Sequence, residues 1–215
     1  MASRIEQIAA LAMKLGQQHL EPYGAVTSRH DFTQRQLMTC LVLKAYLKTT
    51  YRGVVDFLEG HAGLRRVLGM EGKLPHYTSL QKFSARDEVL PIVELLITRI
   101  GQASLRQQGP KAAVVLDSTG VEISSASAHY QSRTGRRRRK FMKISLSVIC
   151  TSLLPLALEL DWGPSNDKRQ AFELLDKTLS AAEEAGALPA KLYADAGYDA
   201  DWIHGVCREI WGVQS

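Results

Sequence analysis

The sequence has few cysteines and no long apolar run. Its three cysteines, Cys40, Cys150 and Cys207, lie far apart and form no CxxC pair, which argues against a disulfide framework and against a thiolate zinc site. The longest mainly apolar stretch, Leu153 to Leu160, is far too short to span a bilayer. The first residues lead directly into a polar, periodic segment without the apolar core of a signal peptide. We therefore expect a cytoplasmic protein without a membrane partner.

The overall charge excess is also small, but the basic residues are unevenly distributed. The 215 residues include 27 Lys or Arg and 22 Asp or Glu, a net charge of +5. Such an excess favours nucleic acid or another polyanion as a partner only weakly. Between Arg133 and Lys143, however, there are seven basic residues and no acidic one. This segment is the strongest sequence indication of a polyanionic partner.

Residues 1–110 have the periodicity of helices. Thr33-Gln-Arg-Gln36 fits a capping box at a helix start, and Thr78-Ser-Leu-Gln81 fits a second one. The helix that follows Thr78 is predicted to expose small polar and basic side chains, namely Ser79, Gln81, Lys82, Ser84 and Arg86. A last helix is predicted near Glu88 to Gln107, before the Gly109-Pro110 pair marks a boundary. We predict a helical, DNA-binding-like domain over 1–110.

From residue 111 the apolar period changes to two. Strands are predicted at Ala112 to Asp117, with Val121-Glu-Ile123 as a possible extension, at Phe141 to Cys150, at Leu154 to Leu160 and at Lys191 to Ala194. In the second strand the alternation predicts that Met142, Ile144, Leu146, Val148 and Cys150 form the buried face. Helices are predicted at Lys168 to Ala185 and, capped by Asp199, at Ala200 to Ile210, with a further strand beginning at Gly212-Val213. This order indicates an α/β (α+β) fold with a mixed-sheet domain over 111–215.

Two aspartates occupy matching places in this pattern. Asp117 ends the apolar run Val-Val-Leu, and Asp195 ends the strand after the long helix. If the two strands are neighbours, both carboxylates lie at one edge, where their repulsion suits a divalent cation, Mg²⁺ or Mn²⁺. The reaction best served is in-line phosphoryl transfer. The alternative interpretation is that each aspartate only forms a turn or caps a helix.

The motifs LDSTG, GPSNDKRQAFELL and YADAGYDAD, in this order, resemble those of the DDE transposases of bacterial insertion sequences. The segments TYRGVVDFL and LPHYTSLQKF are similar to the amino-terminal region of the same proteins, so the resemblance extends from about residue 30 to the end. It implies an RNase H-like catalytic fold, Mg²⁺-dependent DNA strand cleavage and strand transfer, and double-stranded transposon-end and target DNA as partners. Asp117 then corresponds to the first catalytic acid and Asp195 to the second.

The third acid of that family is a glutamate on a later helix, beyond a further strand. Glu209 is the only glutamate after Asp195, but it lies on the helix that directly follows Asp195, and we interpret it as a surface charge. We therefore expect a chain truncated at its carboxy end, which lacks the last strand and helix of the RNase H-like domain. With two carboxylates, metal binding is expected to be weak and strand cleavage slight or absent.

Two further regions are candidates for DNA contacts. The basic loop is predicted to bind phosphate through Arg133, Arg136, Arg137, Arg138, Arg139 and Lys140. Lys143, on the next strand, matches a basic position of the family and is predicted to lie near the scissile phosphate. In the helical half, the exposed face of Thr78 to Arg86 is predicted to read a DNA groove, with Lys82 and Arg86 in contact. Both regions also fit solvated surface.

Three functions therefore remain open. The first is an insertion-sequence transposase that binds terminal-repeat DNA, with a possible homo-oligomer as its assembly. The second is an RNase H-like nuclease that cuts DNA without strand transfer. The third is a non-catalytic DNA-binding protein or regulator derived from a transposase, which represses a full-length copy by occupying its sites or by dimerising with it.

Overall fold

The computed structural model describes residues 3–24, 30–109, 112–122, 141–163, 167–210 and 212–214. Within these residues the helices are α1 (Arg4–His19), α2 (Gln34–Tyr46), α3 (Tyr51–Glu59), α4 (Ala62–Leu68), α5 (Tyr77–Ser84), α6 (Val89–Gln108), α7 (Asp167–Glu184) and α8 (Asp201–Gly205). The strands are β1 (Ala113–Glu122), β2 (Phe141–Ile149), β3 (Pro155–Gly163) and β4 (Lys191–Ala194). No helix in the described part of the chain is both long and apolar enough to cross a bilayer.

Residue contacts divide the chain into two compact units. The helical unit is Met1–Leu96 and the sheet unit is Ile97–Ser215, so the division falls within α6. The domain limits 1–110 and 111–215, drawn where the apolar period changes, stay a prediction.

Side-chain caps fix where the helices of the helical unit begin. The predicted capping box at α2 is confirmed: the Gln36 Oε1 accepts the Thr33 N–H at 2.8 Å, and the Gln36 N–H donates to the Thr33 hydroxyl. The predicted box at Thr78 is wrong. α5 begins at Tyr77, and the ring of His76 is its cap, accepting the Thr78 N–H at 3.4 Å. The Thr78 hydroxyl is 2.7 Å from the same ring nitrogen and is therefore occupied.

The core of the helical unit is apolar. Residues from α1 through α5 meet in one fully buried cluster, whose members are Ala9, Cys40, Leu43, Val54, Leu58, Leu64, Leu68, Met70 and Leu80. Burial raises the pKa of the Cys40 thiol to about 12, because the thiolate would lose its hydration. This cluster follows from the helical periodicity of the sequence, since each member lies on the inward stripe of its element.

The strands of the sheet unit form one mixed sheet in the order β3-β2-β1-β4. β2 is antiparallel to both β1 and β3, while β4 is parallel to β1. The connection from β3 to β4 contains α7, as parallel pairing requires a crossover. The predicted fold class, a helical part followed by a mixed α/β sheet, is confirmed, and the architecture is compatible with an RNase H-like fold.

The face of β2 that is buried differs from the prediction. Lys143, Ser145, Ser147 and Ile149 are the buried residues, whereas Met142, Ile144, Leu146 and Val148 are only half-buried. The reason is that α7 packs on the first face, where the Ser145 hydroxyl donates to the Gln170 Oε1 at 2.9 Å. Alternation shows which residues share a face, but the position of the helix decides which face is covered.

A backbone irregularity explains one buried serine. The pairing of β2 with β3 shifts register between Ser147 and Val148, and such a bulge removes a ladder hydrogen bond. The hydroxyl of Ser147 accepts the Ala157 N–H at 3.0 Å and so satisfies this buried donor.

The segment after β4 is less helical than predicted. Ala196–Tyr198 is a 3₁₀ turn, α8 starts at Asp201, and Val206–Ile210 continues as a π-helical turn. The predicted cap Asp199 is wrong, because Ala200 holds the cap position and the Asp199 carboxylate lies 3.1 Å from the His204 Nε2 instead. Gln214 forms an isolated parallel bridge with Lys191, where a further strand was predicted to begin.

Candidate active site

The pairing of β1 with β4 positions the two predicted catalytic aspartates. In this parallel pair, Val115 is opposite Tyr193 and Leu116 is opposite Ala194. Asp117 and Asp195 are the next residue on each chain, so their backbones occupy matching positions. Neighbouring strands lie about 4.8 Å apart. The predicted adjacency of the two strands is therefore confirmed.

Both aspartates belong to the same face of the sheet. Side chains alternate along a strand, so Asp117 shares its face with Val115, and Asp195 shares its face with Tyr193. The opposite face contains Leu116 and is buried under α7. Asp117 and Asp195 are exposed, and solvent or a ligand therefore reaches both carboxylates.

The sequence indicated that the strand ends at Asp117, but in the structure it does not. β1 continues to Glu122, and Asp117 is paired with Leu146 of β2. The antiparallel ladder with β2 keeps the backbone of Asp-Ser-Thr-Gly extended, although these residue types favour turns. The parallel ladder with β4, by contrast, ends at Leu116. Asp117 therefore lies where the sheet narrows, with the end of β4 beside it.

Local hydrogen bonds orient each carboxylate. The Asp117 Oδ1 accepts the Ser118 N–H at 2.7 Å. The Asp195 Oδ1 accepts the Gly197 N–H at 2.8 Å and so caps the 3₁₀ turn. In each case one oxygen is used by the backbone and the second oxygen is directed elsewhere. The alternative interpretation, in which Asp195 is a cap, is therefore correct for its Oδ1, whereas its second oxygen takes no part in the cap.

The pair of carboxylates fits a hard divalent cation. Mg²⁺ and Mn²⁺ prefer oxygen ligands, and one or two carboxylates with water suffice for Mg²⁺. No group of three or more His, Cys, Asp or Glu side chains suited to a metal occurs in the described ranges. Glu209 is exposed on the π-helical turn after α8, in agreement with its interpretation as a surface charge.

Lys143 lies on the wrong face for its predicted role. Its side chain is 5% exposed, and its neighbours in the ladders are Gly120 of β1 and Asp161 of β3. By alternation it belongs to the covered face with Ser145 and not to the face of Asp117. Its burial on that face argues against a contact with a phosphate at Asp117, and the role of Lys143 near the scissile phosphate stays a prediction.

The other predicted DNA contacts divide into two groups. Lys82 on α5 and Arg86 just beyond it are exposed, as predicted. The basic loop residues Arg133, Arg136, Arg137, Arg138, Arg139 and Lys140 lie outside the described residues.

The order of the strands, with β4 parallel to β1, is compatible with an RNase H-like fold. Residues 108–210 match the family model described as the transposase DDE domain. The match is consistent with a DDE transposase, and both Asp117 and Asp195 fall within the matched range. No curated protein matches the chain significantly.

Proposed function

We propose that this chain is a DNA transposase of an insertion sequence, in which Asp117 and Asp195 together hold a divalent cation against the phosphodiester to be cut. The observation that supports this most strongly is the parallel pairing of β1 with β4. It brings two exposed carboxylates to matching positions on one face, within the range that matches the transposase DDE domain. Transposases act on double-stranded DNA, and terminal-repeat DNA is the proposed substrate.

The roles of the two aspartates follow from their hydrogen bonds. Each carboxylate is oriented through one oxygen by a backbone N–H, from Ser118 or from Gly197. Each offers its second oxygen as a metal ligand. When bound, Mg²⁺ or Mn²⁺ supplies Lewis-acid stabilisation of the phosphate and activates the attacking oxygen. Asp117 and Asp195 themselves bind and orient; with two carboxylates we propose weak metal binding and slow cleavage.

Basic residues of both the sheet unit and the helical unit are proposed to bind the DNA. Arg133, Arg136 to Arg139 and Lys140 lie in the sequence between β1 and β2, the strands that pair with each other at Asp117. Their guanidinium groups suit bidentate contacts with phosphate. Lys82 and Arg86 of the helical unit are the second set.

Nicking of a supercoiled plasmid that carries the terminal repeats tests this function. We expect slow Mg²⁺-dependent or Mn²⁺-dependent nicking, and Asp117→Asn and Asp195→Asn each reduce it to the rate without protein. Asp201→Asn is the matched control, since Asp201 is also an exposed aspartate and lies at the start of α8. Nicking that persists in both Asp117→Asn and Asp195→Asn would refute the assignment. Joined strand products would separate a transposase from an RNase H-like nuclease.

A non-catalytic DNA-binding protein is the second candidate. The observation that favours it is that, within the described ranges, the aspartate pair has no third acid in a metal-binding group. Such a protein would act as a regulator by occupying the transposon ends, alone or as an oligomer with a full-length copy. It would retain its effect when Asp117 and Asp195 are both replaced by Asn, whereas an enzyme would lose it.

A further inference from the structure

The helical unit contains a cavity whose wall is basic. It has a volume of about 430 Å³, within the roughly 300–1,000 Å³ range of small-molecule sites. Three cations, Lys73, Lys82 and Arg86, line it together with one carboxylate, Asp31. The composition of this wall favours an anionic group.

Several residues that line this cavity belong to α5 or lie next to it in the sequence. His76, Ser79 and Lys82 follow one another at intervals of three, and Arg86 comes four residues later. The first three therefore lie on one side of α5, whereas Arg86, two residues beyond the end of the helix, also lines the cavity. All four are exposed, so the face that the sequence predicts as DNA-reading borders a concave surface.

Two of the three cations are not neutralised. Lys73 lies 2.9 Å from the Asp31 carboxylate and is paired with it. Lys82 and Arg86 form no ion pair with any carboxylate of the described residues. Arg86 instead lies over the ring of Phe83, at 5.6 Å from its centroid.

A neighbouring cavity is less suited to an anion than this one. Arg86 also borders a second cavity of about 670 Å³, but that one is lined by Glu21, Asp87 and Glu88. An anion beside those carboxylates would be repelled. The free charge of Arg86 is therefore available to an anion on the side that it shares with Lys82.

We propose that this cavity, with Lys82 and Arg86 as its charged contacts and the Ser79 hydroxyl beside them, binds a backbone phosphate of double-stranded DNA. The inference rests on the proposed function for its choice of DNA as the source of the phosphate. It assigns Lys82 and Arg86 to phosphate binding and not to base reading, because a concave site admits the projecting backbone. Such contacts contribute affinity with little sequence preference.

Salt-dependent binding to a 30-base-pair terminal-repeat duplex tests the assignment. The double variant Lys82→Ala/Arg86→Ala is expected to bind about tenfold or more weakly at low salt, and the slope of log K against log salt should fall in magnitude by about 1, because one phosphate is no longer neutralised. The variant with Lys14→Ala and Arg66→Ala removes the same charge from exposed positions on α1 and α4. It should bind within about twofold of the unchanged chain. A random duplex of equal length should show the same loss as the terminal repeat.

Several outcomes would overturn the assignment. If both double variants bind equally well, the cavity has no phosphate role, although the proposed function survives. A loss confined to the terminal repeat would make Lys82 and Arg86 base-reading residues. Tight calorimetric binding of inorganic phosphate, with DNA affinity unaffected by the substitutions, would assign the cavity to a free anion. If the unchanged chain binds no duplex, the proposed function itself fails. Unchanged circular dichroism of each variant verifies folding.

Discussion

The helical unit and the sheet unit bury different kinds of side chain. In the described part of the helical unit, Thr39 is the buried polar residue, and its hydroxyl donates to the Arg35 carbonyl at 2.8 Å. The buried polar side chains of the sheet unit are more numerous; they are Gln102, Lys143, Ser145, Ser147, Gln170 and Thr178. The first core is held by apolar burial, whereas the second also contains hydrogen bonds of buried side chains, of which the bond from Ser145 to Gln170 joins the sheet to a helix.

This contrast explains in which unit apolar periodicity alone predicts the buried residues. A helix in an apolar core must place its large apolar residues inward, so pattern and burial agree. In β2 the pattern and the burial disagree, because the face packed under α7 includes the serines Ser145 and Ser147. The difference between the units leads to separate expectations for their response to substitution.

The largest effect is expected from truncating the helical core. Leu58 is fully buried, and Leu58→Ala should lower the free energy of unfolding by about 2–5 kcal/mol. Leu11→Ala, at a position that is 53% exposed, should change it by less than about 0.5 kcal/mol. Chemical denaturation followed by far-ultraviolet circular dichroism measures both. Equal stability of the two variants would show that the apolar cluster is not the main support of this unit.

A smaller effect is expected from the polar core of the sheet unit. Gln170→Ala removes the acceptor of the buried Ser145 hydroxyl, and should cost about 1–3 kcal/mol, because that hydroxyl is left without its partner. The double variant Ser145→Ala/Gln170→Ala should cost less than the sum of the two single changes. All three tryptophans, Trp162, Trp202 and Trp211, belong to the sheet unit, so their fluorescence reports on its unfolding. Strict additivity would mean that the bond contributes nothing.

The smallest effect concerns the cysteines. Burial holds the pKa of Cys40 at about 12, against an ordinary value of 9.0. Between these values the unfolded chain loses the thiol proton while the folded chain keeps it, so the contribution to stability is complete below pH 9 and declines as the pH rises towards 12. In the folded protein at pH 8, Cys40 should resist iodoacetamide, and the half-buried Cys150 of the sheet unit should react first. Peptide mass spectrometry distinguishes the two sites; faster labelling of Cys40 would contradict its burial.

Much of the fold follows from the sequence, but less of the site does. The capping box at Thr33 and the long helices are local features, and they were predicted within one or two residues. The adjacency of β1 and β4 was a hypothesis, since a mixed sheet with this order of elements allows the two strands to be neighbours, and the structure confirms it. The sequence left the continuation of β1 beyond Asp117 open, since Val121-Glu-Ile123 fits an extension of the strand whereas Asp-Ser-Thr-Gly favours a turn; the ladder with β2 overrides the turn preference as far as Glu122.

Other misplaced features have nonlocal causes. Nothing in the pattern near Lys143 indicates that α7 covers its face, so its burial was missed. The basic cavity joins Asp31 and Lys73 to Lys82 and Arg86, and only the folded chain brings these separate segments together. The exposure of Lys82 and Arg86 was the one signal of that cavity that the sequence contained.

The most direct test of the account is a Mn²⁺ titration followed by electron paramagnetic resonance, which needs no turnover. The account predicts a site that the unchanged chain and Asp201→Asn fill alike, and that Asp117→Asn or Asp195→Asn each weakens by at least about tenfold, since either change removes a charged ligand. Equal Mn²⁺ affinity for all four proteins, or loss with only one of the two aspartates, would contradict a cation shared between β1 and β4.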